Sequence, residues 1–310
     1  MTIDRKPVFA GLSPISKMFF LAGIALFSML IFLLIGTVLT ASLYGINIFS
    51  DSELLTDLDN NEVLSTYKLL QIFQHLGLFV IPPIVFAFLV STNPANYLRL
   101  KEQPAISSLL IVGVIMLVAL PLVNWMMEIN EFLKLPEFMA SIEQWMKRAE
   151  ENAEKFTKAF LKMETPGDLL LNMVMIALIP AIGEEMLFRG VLQRLFSEWT
   201  KNAHWGIIIA AIFFSAFHMQ FYGFLPRMAL GVLFGYLFIW SRSLWLPIFG
   251  HFVNNGAAVI FAYLSSKGTI TFDTDTLGTG EQETLFPIAS AVIIASLLFL
   301  IYRKGRLTVT

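Results

Sequence analysis

Apolar runs long enough to cross a bilayer recur along the whole of this chain, and they exclude most folds at the outset. A hydrocarbon layer of about 30 Å needs roughly 20 apolar residues per helix. Such stretches fall at about 18–43, 67–91, 105–127, 168–196, 204–221, 224–241, 243–264 and 285–302. In lipid the backbone must satisfy its own hydrogen bonds, so segments of this length cross as helices. The pattern predicts an all-α polytopic membrane protein with about eight transmembrane helices, forming a single transmembrane domain over 1–310. Only 14% of the residues are charged, against about 25% in soluble domains, which agrees.

The Met18–Thr40 stretch behind Arg5, Lys6 and Lys17 exceeds a signal-peptide core and reads as a retained helix. The distribution of Lys and Arg places both termini in the cytoplasm. The inner segments then hold Arg5, Lys6, Lys17, Arg99, Lys101, Arg194, Lys201, Arg242, Arg303, Lys304 and Arg306, while the first and last outer loops are acidic. The outer segments hold Lys68, Arg227, Lys267 and, in the 128–166 loop, six cations that run against this assignment. Within it Phe138, Ile142, Trp145, Ala149, Phe156, Phe160 and Met163 recur at three-, four- or seven-residue intervals, with most charges off that stripe. This predicts an amphipathic helix on the membrane surface or across the mouth of the bundle. It serves either packing or substrate guidance.

Prolines 82, 83, 121, 180, 226 and 247 lie in or beside spans and imply kinks. Gly231 and Gly235 form a GxxxG that permits close helix contact. A net charge of −2 points to no nucleic-acid partner. The absence of cysteine removes thiol nucleophiles, disulfides, iron–sulfur clusters and cysteine-ligated zinc.

An ionisable residue inside a span costs at least ~2.5–3.5 kcal/mol, so each needs a reason and a partner. Three groups stand out. Glu184, Glu185 and Arg189 lie in "GEEMLFRG". Glu185 and Arg189, four apart, share a helix face and can pair, while Glu184 points about 100° away. The pair alone is also what a structural ion pair near a helix end looks like. His218 lies in "FFSAFHMQ", and His251 with Asn255 in "GHFVNNG", four residues apart on one face. Taken singly, these also suit interhelical hydrogen bonds. At ~1.5 Å per residue, Glu184, His218 and His251 lie roughly 18, 21 and 12 Å from the inner ends of their spans. They can share one polar cavity if the three helices pack together.

Without cysteine, G-x-S-x-G or HExxH, these parts suit hydrolysis of an amide by a water that glutamate and histidine polarise, directly or through a metal. Histidine and asparagine N–H groups can stabilise the oxyanion.

The stretches "EEMLFR" (184–189), "FSAFH" (214–218) and "HFVNN" (251–255) match EExxxR, FxxxH and HxxxN. In these the chain resembles the CPBP intramembrane proteases, the CAAX-processing and bacteriocin-processing family also called Abi. The likeness covers a catalytic core of about 168–264. It implies that Glu184 activates the water with help from His218, that Glu185 and Arg189 support the site, and that His251 and Asn255 form the oxyanion hole. It allows a zinc ion on Glu184, His218 and His251. It also implies a membrane-associated protein or peptide as substrate, reaching the site from the cytosolic side, with membrane lipid around the protein. The expected location is the cell membrane, a bacterial inner membrane by the short tails. Two other readings use the same residues: a non-catalytic immunity or scaffold protein that binds a peptide in the cavity, and a proton-coupled transporter. The absence of an internal repeat counts against the second.

Overall fold

The computed structural model describes residues 7–131, 135–270, 277–279, 283 and 285–307, and every regular element among them is helical. Helix α1 (Pro14–Tyr44) starts at an N-cap Ser13 and packs on α2 (Asn61–Val90). The bent pair α3 (Ile106–Val118) and α4 (Leu120–Glu131) follows. Next come α5 (Ala140–Phe160), α6 (Pro166–Thr200), α7 (Ala203–Phe217), α8 (Phe224–Ser241), α9 (Trp245–Ser266) and α10 (Leu285–Leu307). Among the described residues six helices are long and apolar enough to cross a membrane, and α3 with α4 makes a seventh span bent by 46°. The remaining apolar segment, α7, has 15 residues. It stops at Phe217, short of the expected 221, because Met219 turns into the left-handed region at φ 54°.

The prolines act in two ways. Pro82 with Pro83, and Pro180, lie directly behind π-helical turns at Leu76–Val80 and Met173–Leu178. Proline lacks the N–H that would reach the carbonyl four residues back, so the helix widens there rather than breaking. Pro121 lies at the α3–α4 bend. Pro226 and Pro247, in contrast, sit in the first turns of α8 and α9, where the missing N–H has no helical partner to lose, and they produce no kink.

Two apolar clusters flank the middle of the bundle. One gathers Phe79, Phe86, Ala181, Phe188 and Phe214 from α2, α6 and α7. The other gathers Val112, Ile115, Phe234, Leu246 and Ile294 from α3, α8, α9 and α10. Lipid is as apolar as leucine, so contact in a membrane depends on close approach. Gly231 and Gly235 supply it, as their spacing predicts: a Cβ there would lie 2.9 Å from Ala211 Cβ and 2.7 Å from Ile207 Cγ2 of α7.

The amphipathic helix expected in the 128–166 loop is α5. Its Phe156 meets Tyr67 of α2 edge-on with ring centroids 4.9 Å apart. Trp145 packs on Phe221, and Glu150 accepts hydrogen bonds from Gln220 and from the Tyr222 backbone N–H in the α7–α8 link. The helix therefore bridges the ends of α2 and α7 across the bundle. Lys162, just past its end, pairs with Asp59 in the α1–α2 loop, and that hydrogen bond and charge hold the Asp59 carboxyl below its ordinary range.

Candidate active site

The site starts from the local geometry of α6. Glu184 and Glu185 end a short α-helical stretch, Ile179–Glu185, held between the π turn at Met173–Leu178 and a second at Met186–Leu192. Gly183 lets this stretch lie against α2: a Cβ would sit 2.8 Å from Val80 Cγ2 and 2.9 Å from Phe79 Cβ. Both carboxylates are therefore deep in protein, Glu184 at 5% and Glu185 at 0% exposure.

They have different partners. Glu185 Oε1 accepts from Arg189 Nη1 at 2.8 Å and from His251 Nδ1 at 2.9 Å. Arg189, itself 1% exposed, also donates from Nη2 to the Gly231 carbonyl at 3.1 Å. Its guanidinium carbon lies 4.6 Å from the Phe214 ring centroid and 5.4 Å from that of Phe234. The i, i+4 pair expected from the sequence is thus present, and it is tied to a third helix. His251 is stacked on Phe234 at 5.5 Å and 13°.

Glu184 is turned toward the imidazoles. Its Oε1 lies 3.5 Å from His75 Nε2 and its Oε2 3.9 Å from His251 Nε2. Glu184 Oε2 is buried and makes no hydrogen bond. His218, at the C-terminal end of α7, has Nδ1 2.9 Å from the Phe214 carbonyl. A carbonyl only accepts, so Nδ1 carries the hydrogen and Nε2 is the basic nitrogen.

Asn255 is placed by a proline. Pro180 cannot donate to the carbonyl four residues earlier, which is that of Ile176. Asn255 Nδ2 donates to that carbonyl at 3.0 Å, and Asn255 Oδ1 accepts from Asn254 Nδ2 at 3.1 Å. The sequence of α6 thereby fixes a side chain of α9.

A cavity of about 470 Å³ opens over these groups. Glu184, His75, His218 and Asn255 line its floor and walls, and Phe156 and Phe160 of α5 line its roof. A smaller one, about 260 Å³, adjoins it behind His218 and Asn255 and is lined by His251 and Arg227. All six expected residues, Glu184, Glu185, Arg189, His218, His251 and Asn255, are therefore in or directly behind one constellation.

Sequence reasoning missed His75. It lies inside a span, as His218 does, so its cost in lipid was visible. Its partner was not, because nothing in the chain states that α2 packs on α6. Gln71, whose backbone carbonyl and side-chain Nε2 lie 3.2 and 3.3 Å from His75 Nδ1 and pair with one or the other tautomer, belongs with it.

Glu184, His218 and His251 do not close on one point. Among the described residues no group of three or more His, Asp or Glu side chains is placed to hold a metal ion. The Nδ1 atoms of His218 and His251 are engaged by Phe214 O and Glu185, which leaves Nε2 of each ring facing the site, and His251 Nε2 stands 3.9 Å from Glu184 Oε2. As placed, these three side chains are not gathered around one ion.

The comparisons with known proteins concern the same region. No solved structure shows a significant match to the chain. A relative in Bacillus subtilis (strain 168), named "Uncharacterized protein YpbD", is 31% identical over 100 residues, which are 31% of this chain and 46% of the relative. The chain thus matches about half the length of that protein. Residues 166–257, which hold α6 through the first half of α9 and every expected site residue, match the family described as type II CAAX prenyl endopeptidase Rce1-like. The likeness to the Rce1-like family of type II CAAX prenyl endopeptidases thus lies in this core, residues 166–257.

Proposed function

We propose that the chain is an intramembrane endopeptidase that hydrolyses a peptide bond of a membrane-associated protein or peptide, with Glu184 as the base. The observation that carries this reading is the placement of Glu184. It is a buried carboxylate that lines the cavity among imidazoles, whereas Glu185 beside it is taken up by Arg189 and His251. A structural ion pair needs neither the second carboxylate nor the cavity.

In the proposed reaction a water in the cavity gives a proton to Glu184, and its oxygen bonds to the scissile carbonyl carbon. The carbonyl oxygen becomes an oxyanion. Asn255 has a second Nδ2 hydrogen beyond the one held by Ile176. That hydrogen, with an imidazole N–H, is the donor set for the oxyanion. His251 donates Nδ1–H to Glu185, so it offers Nε2–H only as an imidazolium. Glu185 accepts from His251 Nδ1, and Arg189 holds Glu185 in place. The C–N bond then breaks, and the proton held by Glu184 passes to the leaving nitrogen. His218 Nε2 is free to orient the water. His75 acts through Glu184, whose Oε1 it faces. No step is routed through a metal.

The test is replacement of Glu184 by Gln in the host membrane, with N-terminal mapping of peptides that accumulate or vanish. A fall in cleavage of at least ~100-fold with the protein still inserted supports the reading. Full cleavage by Glu184→Gln overturns it. Peptide binding that persists in a variant whose wild type shows no cleavage favours the non-catalytic scaffold.

A further inference from the structure

The cavity has a direction. Its roof is α5, and α5 follows the end of α4 and precedes the start of α6. The face of the bundle that carries α5 also carries the α1–α2 loop, joined to it through Asp59 and Lys162. The opposite face carries the start of α1 and the end of α10. The link Thr200–Ala203 and the link Ser241–Trp245 also lie there, the second bonded to the α2–α3 loop through Ser243 to the Glu102 carbonyl and Trp245 to the Leu100 carbonyl.

Helix α7 makes the depth asymmetric. Its 15 residues rise ~22 Å, against ~30 Å of hydrocarbon. Asn202 caps its first turn beside Lys201 on the face of the termini, so the shortfall falls at the other end, at His218. The α7–α8 link therefore dips below the membrane surface, and Glu150 of α5 closes over it through Gln220 and Tyr222. The depression leads down to His218 and Glu184 from the α5 face.

The peripheral helices state which face this is. Arg5, Lys6 and Lys17 precede or begin α1, whereas residues 45–67 hold five acidic residues and no Lys or Arg. Arg303, Lys304 and Arg306 end α10, whereas residues 268–284 hold four acidic residues and no Lys or Arg. The first and last spans thus both put the face of the termini in the cytoplasm. Lys147, Arg148, Lys155 and Lys158 of α5 and Lys162 beyond it run against this, so the orientation rests on the first and last spans.

The geometry points to an active-site mouth on the non-cytosolic face of the membrane, where it receives membrane-inserted polypeptides whose cleavable segment lies at that surface. This is the opposite side from the one the family resemblance implies. As a statement about substrate it rests on the proposed hydrolysis, whereas the orientation itself does not.

The test uses the natural absence of cysteine. The full chain is expressed in a bacterial host with one cysteine at a time: Thr157→Cys on α5 and Ser52→Cys on the α1–α2 loop, against Lys101→Cys between α2 and α3. Intact cells are treated with a membrane-impermeant maleimide, before and after permeabilisation. The expected result is labelling of Ser52→Cys and Thr157→Cys in intact cells, and of Lys101→Cys only after permeabilisation. Ser52→Cys reports the same face should Thr157→Cys be shielded by the roof. Labelling of Lys101→Cys alone in intact cells, or of both faces alike, overturns the proposal. Neither result bears on whether Glu184→Gln loses cleavage, so the two readings fail separately.

Discussion

His251 Nδ1 lies 2.9 Å from Glu185 Oε1, and because a carboxylate only accepts, the imidazole hydrogen is on Nδ1. One contact therefore sets the tautomer of His251, aims its Nε2 at Glu184, and ties α9 to α6. The same oxygen takes Arg189, so the support for the site is a buried charge cluster that no single helix contains.

The two adjacent glutamates should fail differently. Glu185→Gln leaves the Arg189 guanidinium without its counter-charge in a dry interior. We expect a loss of about 3–5 kcal/mol in detergent unfolding, together with loss of cleavage. Glu184→Gln removes a group whose Oε2 has no hydrogen-bond partner, and we expect stability within ~1 kcal/mol of wild type with cleavage gone. Unfolding curves and cleavage rates on the same preparations separate the two.

His75 should behave as a positioning residue for Glu184. His75→Ala is expected to lower kcat roughly 10–100-fold with KM little changed. His75→Gln, which keeps a donor near Glu184 Oε1, should recover part of the loss. Equal loss in both variants, carried by KM, would mean that the ring only shapes the cavity.

The link from Pro180 to Asn255 can be measured as a coupling. Asn255→Ala leaves the Ile176 carbonyl unpaired and should cost about 1–3 kcal/mol. In a Pro180→Ala background the backbone N–H at 180 returns to serve that carbonyl, so the cost of Asn255→Ala should shrink. A double-mutant cycle on unfolding free energy with no interaction term would refute the link.

Gly183→Ala removes no polar group yet should impair cleavage. Its Cβ would stand 2.8 Å from Val80 Cγ2 and 3.1 Å from the Phe79 carbonyl carbon, so α2 and α6 must separate. Overpacking of this kind costs typically ~1–3 kcal/mol, and here it also widens the 3.5 Å contact between His75 and Glu184. The same assay on Gly113→Ala, whose nearest neighbour would be a Phe249 ring atom at 3.7 Å, serves as the tolerant control.

Extended dialysis against a chelator should leave cleavage within about twofold of the untreated enzyme, since among the described residues no three His, Asp or Glu side chains are gathered to hold an ion. Loss of activity restored by added zinc, with bound metal that falls in His218→Ala and His251→Ala, would show that the ligands move together around an ion.

What the chain determines by itself is local and periodic. Apolar length decides which segments enter lipid, because each residue adds a fixed rise and each buried charge a fixed cost. Four-residue spacing decides that Glu185 meets Arg189, since both ride one helix. The EExxxR, FxxxH and HxxxN stretches could be read for the same reason. Contacts between helices are another matter. That α2 lies against Gly183, so that His75 completes the site, that α7 ends early at Met219, and that α5 roofs the cavity all depend on how side chains from distant segments fit. In lipid, where apolar attraction does not distinguish one helix face from another, that fit is decided by close packing and a few polar contacts, and these exist only once the bundle is assembled.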